Sequence, residues 1–161
     1  MLDHHAPIAE AEIWISRFKR HVKEIFINTL LAGTAIFIFS YGGLFVAIRL
    51  YPSFFIDYIN PVFNSDGSRD TYFYMHPFIL AIALSVFWNR FGKYFTGNIL
   101  KAGVEFGLVY AFVALVPILW ITYSAMEVEF QMVFTWLVYG FFQSYVAGMV
   151  LSWKRKEINL L

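Results

Sequence analysis

The sequence predicts an all-α, polytopic membrane protein: a four-transmembrane-helix bundle with an N-terminal amphipathic interfacial helix. Of its 161 residues, 60% are hydrophobic and 14% are charged, whereas soluble domains are about half apolar and about a quarter charged. The apolar residues form four long runs, and most basic residues lie beside the same ends of these runs. This composition argues against soluble enzymes, nucleic-acid binders and disordered linkers, and the absence of cysteine excludes disulfide frameworks and thiolate metal sites.

Residues 1–24 precede the first apolar run and have the pattern of an amphipathic helix. On a helical wheel, one arc of about 120° holds Ile8, Ala11, Trp14, Ile15, Phe18, Val22 and Ile25. Basic residues occupy the other side, so we expect the helix to lie in the plane of the lipid headgroups. Two roles are open for it: an anchor for the first span, or a docking site for a partner.

Four apolar runs follow, each long enough to cross a hydrocarbon core of about 30 Å, which takes about 20 residues. We predict spans at about 25–48, 72–90, 102–125 and 130–153, an outer loop at 49–71 and a cytoplasmic tail at 154–161. The N-terminus lacks the basic region of a cleavable signal peptide, so the first span is expected to act as an uncleaved anchor.

The basic residues predict the orientation of these spans, because lysine and arginine near span ends stay on the cytoplasmic side. Ten of the twelve basic residues share one side: Arg17, Lys19, Arg20, Lys23, Arg90, Lys93, Lys101, Lys154, Arg155 and Lys156. Both termini are therefore expected in the cytoplasm, and the protein in a bacterial inner (plasma) membrane. The outer loop is rich in aromatic residues and is broken by Pro52 and Pro61, so we expect it to rest on the outer membrane surface or to cap the bundle.

Small residues spaced four apart predict where helices approach closely, because membrane helices associate by packing. The third span carries Gly103, Gly107 and Ala111, and the fourth carries Gly140, Ser144, Gly148 and Ser152. A shorter row in the first span has Gly43 and Ala47. The two long rows predict one tight interface within the chain, and self-association through a row is the alternative.

Two prolines have different predicted effects. Pro117 lies in the middle of the third span and is expected to kink it, because the carbonyl of Val113 loses its donor. Thr122 or another polar neighbour is a candidate replacement donor. Pro77 is placed in the first turn of the second span, where a proline is tolerated.

Three polar residues form the possible site. Glu105 lies one turn inside the third span, where we expect an ion pair with Lys101, with a transport or binding role as the alternative. Gln143 lies near the middle of the fourth span and is expected to hydrogen-bond across the bundle, with ligand binding as the alternative. His76 lies at the outer boundary, where a membrane enzyme acting on lipids or quinones would need His76, Glu127 or Asp57, although no spacing ties two of these groups together.

No catalytic, cofactor-binding or metal-binding constellation is predicted. The four histidines do not pair at spacings that bind haem or metal, and phosphate loops, nucleophile elbows and dinucleotide fingerprints are absent from the sequence. We therefore expect no cofactor and no enzymatic activity.

Packing residues in the second half of the chain carry a family resemblance. The third span opens with Lys101, Gly103 and Gly107 and continues with Pro117 and Tyr123, and the fourth contains Trp136, Gly140, Gln143, Ala147 and Gly148. In these features residues 76–153 resemble small four-helix bacterial integral membrane proteins of uncharacterised function. The resemblance implies a four-helix bundle and no known activity.

The function expected from the sequence is that of a small non-catalytic accessory or structural subunit of a larger bacterial membrane complex. Its partners would be the lipid bilayer and other membrane protein subunits, and not nucleic acid. The alternative is a small transporter or ligand-binding bundle that uses Glu105 and Gln143.

Overall fold

The protein is all-helical over residues 6–52 and 67–158, the parts of the chain described by a computed structural model. The helices are α1 (Ala6–Leu50), α2 (Asp70–Phe91), α3 (Ile99–Tyr110), α4 (Val116–Ala125) and α5 (Phe130–Ile158). A 3₁₀ turn at Gly92–Tyr94 follows α2, and a π-helical turn at Ala111–Leu115 joins α3 to α4. The all-α prediction is confirmed, and much of the predicted outer loop, including Asp57, lies outside the described residues.

Within the described residues, four segments are long and apolar enough to cross a membrane: Trp14–Leu50, Asp70–Tyr94, Ile99–Ala125 and Phe130–Arg155. The third of them comprises α3, the π-helical turn and α4 together, and we refer to it below as the third segment. Each predicted span lies within one of these four segments. The fold therefore has the number of candidate spans that the hydropathy pattern predicts.

The N-terminal part of the chain differs from the prediction, because α1 is one continuous helix of 45 residues with no break near residue 24. A separate helix in the headgroup plane would need a turn there, and α1 contains none. The physical reason is visible in the sequence: residues 8–32 contain no glycine or proline at which a helix would bend. At about 1.5 Å per residue α1 is about 68 Å long, roughly twice the thickness of a hydrocarbon core.

Helices α1 and α2 pack closely around Gly33. A Cβ atom placed on Gly33 would lie 2.7 Å from Cδ1 of Phe78 and 3.4 Å from Cβ of Ala81. The ring of Phe37, one turn further along α1, lies 6.1 Å from that of Phe78. The two helices run antiparallel, and the absence of a side chain at Gly33 allows their close approach.

Helices α3 and α5 form the tight interface that the small-residue rows predict. A Cβ atom on Gly148 would lie 3.1 Å from the Cα atom of Gly103, and one on Gly107 would lie 3.1 Å from the ring of Phe141. Further along, Gly140 faces Leu115 of the π-helical turn. The other members of the two rows, Ala111, Ser144 and Ser152, are buried. The small residues of these two rows therefore pack against other parts of the same chain. By contrast, a Cβ atom on Gly43 of α1 would meet nothing within 4 Å among the described residues.

The core lies between the helices on the side of the bundle where the basic residues gather. Its largest fully buried side chains are Phe106, Ile36, Leu84 and Leu151. By contrast, α4 contains no buried residue. The far half of the third segment therefore contributes no buried side chain to the core.

Candidate functional site

Glu105 forms the predicted ion pair on the surface of α3. Its Oε1 atom lies 3.6 Å from Nζ of Lys101, one turn earlier on the same helix, and the two side chains are 38% and 62% exposed. Asn98 caps this helix by accepting a hydrogen bond from the backbone N–H of Lys101 at 2.7 Å. An exposed ion pair of this kind stabilises a helix only weakly.

Gln143 makes the hydrogen bond between helices that its position predicts. Its Nε2 atom donates to Oγ of Ser40 on α1 at 3.0 Å, and both side chains are buried. Gln143 and Glu105 therefore have different partners on different helices. The structure does not bring them together into one polar path.

His76 lies on an exposed part of α2. Within residues 6–52 and 67–158 no group of three histidine, cysteine, aspartate or glutamate side chains is placed to hold a metal ion. Glu127, another group that a membrane enzyme would need, lies in the link between α4 and α5, and Asp57 lies outside the described residues. None of the described contacts joins these groups.

Lys154 and Arg155 have structural roles that their sequence positions do not predict, in addition to the orientation that their charge indicates. Arg155 donates from Nη1 to the carbonyl of Gly92 and from Nη2 to the carbonyl of Phe95, the latter at 2.7 Å. Lys154 donates from Nζ to Oδ1 of Asn28 on α1. These two residues thus fasten the end of α5 to α1 and to the turn after α2. The one feature of the sequence that indicates such a contact is Asn28, the asparagine that interrupts the first apolar run near its start.

Three aromatic rings form a cluster beside Arg155. The guanidinium group lies 5.1 Å from the ring of Trp88, a distance at which a cation is attracted to the face of an aromatic ring. Trp88 stacks on Phe95 at 5.7 Å, and both rings meet the edge or face of Phe106 at 5.3 Å. The basic end of the bundle is therefore held by packed rings and paired cations.

Pro77 is not in the first turn of its helix, because α2 begins at Asp70. That prediction is wrong, since seven residues of α2, Asp70 to His76, precede the proline. The proline therefore removes a donor from the carbonyl of Phe73 inside the helix. The hydroxyl of Tyr41 on α1 donates to this same carbonyl at 2.9 Å, and a proline of this kind is tolerated when a neighbouring helix re-satisfies the freed group.

Pro117 is accompanied by a change of helix type. The five residues before α4, Ala111–Leu115, form a π-helical turn, a feature that accounts for many sharp helix bends. Thr122 does not replace the missing donor, because its hydroxyl donates to the carbonyl of Ile118 at 2.9 Å.

The first third of α1 carries apolar side chains that nothing in the described chain covers. Trp14 is 65% exposed and Phe18 is 55% exposed, and their rings stack at 5.5 Å. Ile15 and Val22 on the same side of the helix are also exposed. We call these four residues the α1 stripe.

Comparison with protein-family models, curated proteins and solved structures found no match for this chain, so the family resemblance described above stays a prediction. Over residues 6–52 and 67–158 the fold defines a class: an all-helical protein with four helical segments long and apolar enough to cross a membrane.

Proposed function

We propose that this protein is a small, non-catalytic integral membrane protein that serves as an accessory or structural subunit of a larger bacterial membrane complex. The bilayer would surround the four predicted spans, at about 25–48, 72–90, 102–125 and 130–153, and other membrane protein subunits would contact the rest. The proposed orientation places both termini in the cytoplasm of a bacterium, on the side of the paired cations Lys154 and Arg155.

The observation that carries this proposal is the α1 stripe. Helix α1 continues without a break beyond the residues that pack in the bundle, and at this continuation it exposes Trp14, Ile15, Phe18 and Val22. Exposed clustered apolar side chains, especially tryptophan and phenylalanine, are typical of interaction surfaces. Because α1 has no bend at which the stripe would turn into the headgroup plane, a protein partner accounts for it better than the lipid surface does.

A transport role receives less support from the structure. It would need Glu105 and Gln143 to line one path, but each is paired with a different residue, Lys101 and Ser40 respectively. If this alternative were correct, Glu105→Gln would change uptake or efflux of the transported species.

The test of the proposed function is mild extraction of the natively expressed protein, followed by native mass spectrometry. We expect larger subunits to accompany the chain at a fixed stoichiometry. Combining Trp14→Ser with Phe18→Ser should lower the co-extracted fraction about tenfold or more, because truncating central aromatic contacts costs much of a binding energy. Arg20→Gln, on the opposite side of the same helical segment, serves as the matched control and should retain the partners.

Two results would count against the accessory role. One is a wild-type chain that is extracted alone or as a homodimer. The other is co-extraction that survives the double substitution in the α1 stripe, since that would remove the observation on which the proposal depends.

A further inference from the structure

Pro77 and Pro117 each lie beyond the first turn of a helical segment, where a proline removes an N–H group that would donate to the carbonyl four residues earlier. At Pro77 the affected carbonyl is that of Phe73, and the hydroxyl of Tyr41 on α1 replaces the lost donor at 2.9 Å. The hydrogen bond that is lost at Pro77 is therefore replaced by one from a neighbouring helix of the same chain.

At Pro117 the loss extends to two carbonyls because of the π-helical turn. The backbone N–H of Val116 donates to the carbonyl of Ala111, five residues earlier. In an α-helix the carbonyl of Phe112 would accept from the N–H of Val116, but that N–H donates to Ala111. In a π-helix it would accept from residue 117, which is a proline and has no N–H. The carbonyl of Phe112 therefore has neither of its helical donors. The carbonyl of Val113 loses its α-helical donor to the same proline.

Side chains of the described residues do not donate to these two carbonyls in place of the lost N–H groups. The nearest hydroxyl further along the segment, that of Thr122, donates to the carbonyl of Ile118. Within residues 6–52 and 67–158 no side-chain hydrogen bond reaches the carbonyl of Phe112 or of Val113. The side chains of these two residues are 69% and 71% exposed, so this side of the third segment faces away from α5.

We propose that this surface, the side of the third segment formed by Phe112, Val113 and Pro117, docks a transmembrane helix of another protein. A serine, threonine, tyrosine or tryptophan side chain of that helix donates a hydrogen bond to the carbonyl of Phe112. The proposal rests on the proposed function and names a contact surface for the accessory role within the membrane. We call the surface the Pro117 face.

The depth of the carbonyl excludes lipid as the donor. The third segment runs over 27 residues from Ile99 to Ala125, and Phe112 is at its centre. Lipid tails at the middle of a bilayer offer no hydrogen-bond donor, and an unpaired backbone carbonyl there is unfavourable. A donor at this depth must come from protein.

A second copy of this chain is a poor donor for the Pro117 face. Two copies related by a twofold axis along the membrane normal would place this face against itself at the same depth. The hydroxyls of Thr122 and Ser124 already donate to carbonyls of their own helix. The indole of Trp120 belongs to a residue about 12 Å further along the helix axis than Phe112.

The test is photo-cross-linking in native membranes, with p-benzoylphenylalanine introduced at Phe112. The matched control is the same group at Ile38, which is 65% exposed and lies near the middle of the predicted first span. We expect one discrete protein adduct at Phe112, with a mass other than that of two copies of this chain, and only lipid adducts at Ile38. The cross-linked peptide of the partner should be an apolar segment that contains a hydroxyl or indole side chain.

A second variant tests the hydrogen bond itself. Pro117→Ala carries an N–H at position 117 that can satisfy the orphaned acceptors within the helix, so the adduct yield at Phe112 should fall about threefold or more, the effect of losing one hydrogen bond between membrane helices. The chain should remain folded, as judged by an unchanged circular dichroism spectrum.

Any one of four results would overturn the proposal: lipid adducts alone at Phe112, a homodimer adduct, equal protein adducts at Phe112 and Ile38, or an adduct yield that Pro117→Ala leaves unchanged. If native mass spectrometry still shows partner subunits in such a case, the accessory role stands and only the Pro117 face is wrong. If the chain is extracted alone, the proposed function itself fails.

Discussion

The side chain of Tyr41 replaces a hydrogen-bond donor that a proline removes from another helix. Its hydroxyl donates to the carbonyl of Phe73, which has lost its usual donor because position 77 is a proline. Its ring also packs on Phe37 at 4.5 Å and on Tyr74 at 5.0 Å. One phenol therefore both satisfies a backbone acceptor and fills the space between α1 and α2.

We predict that Tyr41→Phe lowers the free energy of unfolding by about 1 kcal/mol, because it leaves the carbonyl of Phe73 without a donor while keeping the ring. Unfolding by denaturant in a mild detergent measures this change. Tyr74→Phe is the control, since no hydrogen bond of its hydroxyl is present among the described residues, and it should have a smaller effect.

A double-mutant cycle makes the same prediction sharper. Pro77→Ala restores a backbone N–H opposite the carbonyl of Phe73, so Tyr41→Phe should cost less in that background. An equal cost in both backgrounds would show that the hydroxyl does not act through this carbonyl.

At the scale of helical elements, glycines decide which helices touch. Gly148 and Gly103 bring α3 and α5 together so closely that a Cβ atom on Gly148 would lie 3.0 Å from the side chain of Phe106. Gly43 on α1 belongs to a similar row in the sequence, but a Cβ atom there would meet nothing within 4 Å in the described part of the chain. The same pattern therefore has different consequences in different helices.

We predict opposite effects for two glycine-to-alanine substitutions. Gly148→Ala should lower the free energy of unfolding by about 1–3 kcal/mol, because backbone and ring atoms must move to admit the methyl group. Gly43→Ala should be neutral or should raise stability by up to about 1 kcal/mol, since alanine is the better helix former. Thermal unfolding of both variants in detergent measures the difference, and a loss of stability at Gly43 as large as that at Gly148 would contradict the described packing.

At the scale of the whole molecule, the charges are distributed unequally between the two ends of the bundle. Lys154 and Arg155 are paired with Asn28 and with carbonyls of the turn after α2 at one end. The α1 stripe continues beyond this same end. The proposed orientation therefore places both the paired cations and the α1 stripe in the cytoplasm.

We predict that single cysteines will report this orientation, and the natural chain helps because it contains no cysteine. In intact spheroplasts a membrane-impermeant maleimide should label Ser68→Cys, just before α2, but should label Thr96→Cys, just before α3, only after lysis. Both positions are exposed, so the difference in labelling reflects the side of the membrane. The reverse pattern would overturn the predicted orientation.

The number of apolar segments and the α3–α5 interface were predictable from the sequence because both depend on local regularities. About 20 consecutive apolar residues define each candidate span, and small residues at every fourth position lie on one face of a helix whatever surrounds it. The pairing of Glu105 with Lys101 was predictable for the same reason, since residues four apart on a helix are neighbours.

The contacts between distant segments were decided only by the tertiary structure. Nothing in the local sequence pairs Tyr41 with the carbonyl of Phe73, or Arg155 with the turn after α2, because these partners are brought together by helix packing. The continuity of α1 and the position of Pro77 inside α2 also follow from the structure and not from hydropathy, since hydropathy marks where apolar residues lie, whereas a helix continues for as long as no residue breaks it. Local periodicity therefore determined the helices and their apolar faces, and tertiary packing decided which polar groups are satisfied within the chain and which, on the Pro117 face, are not.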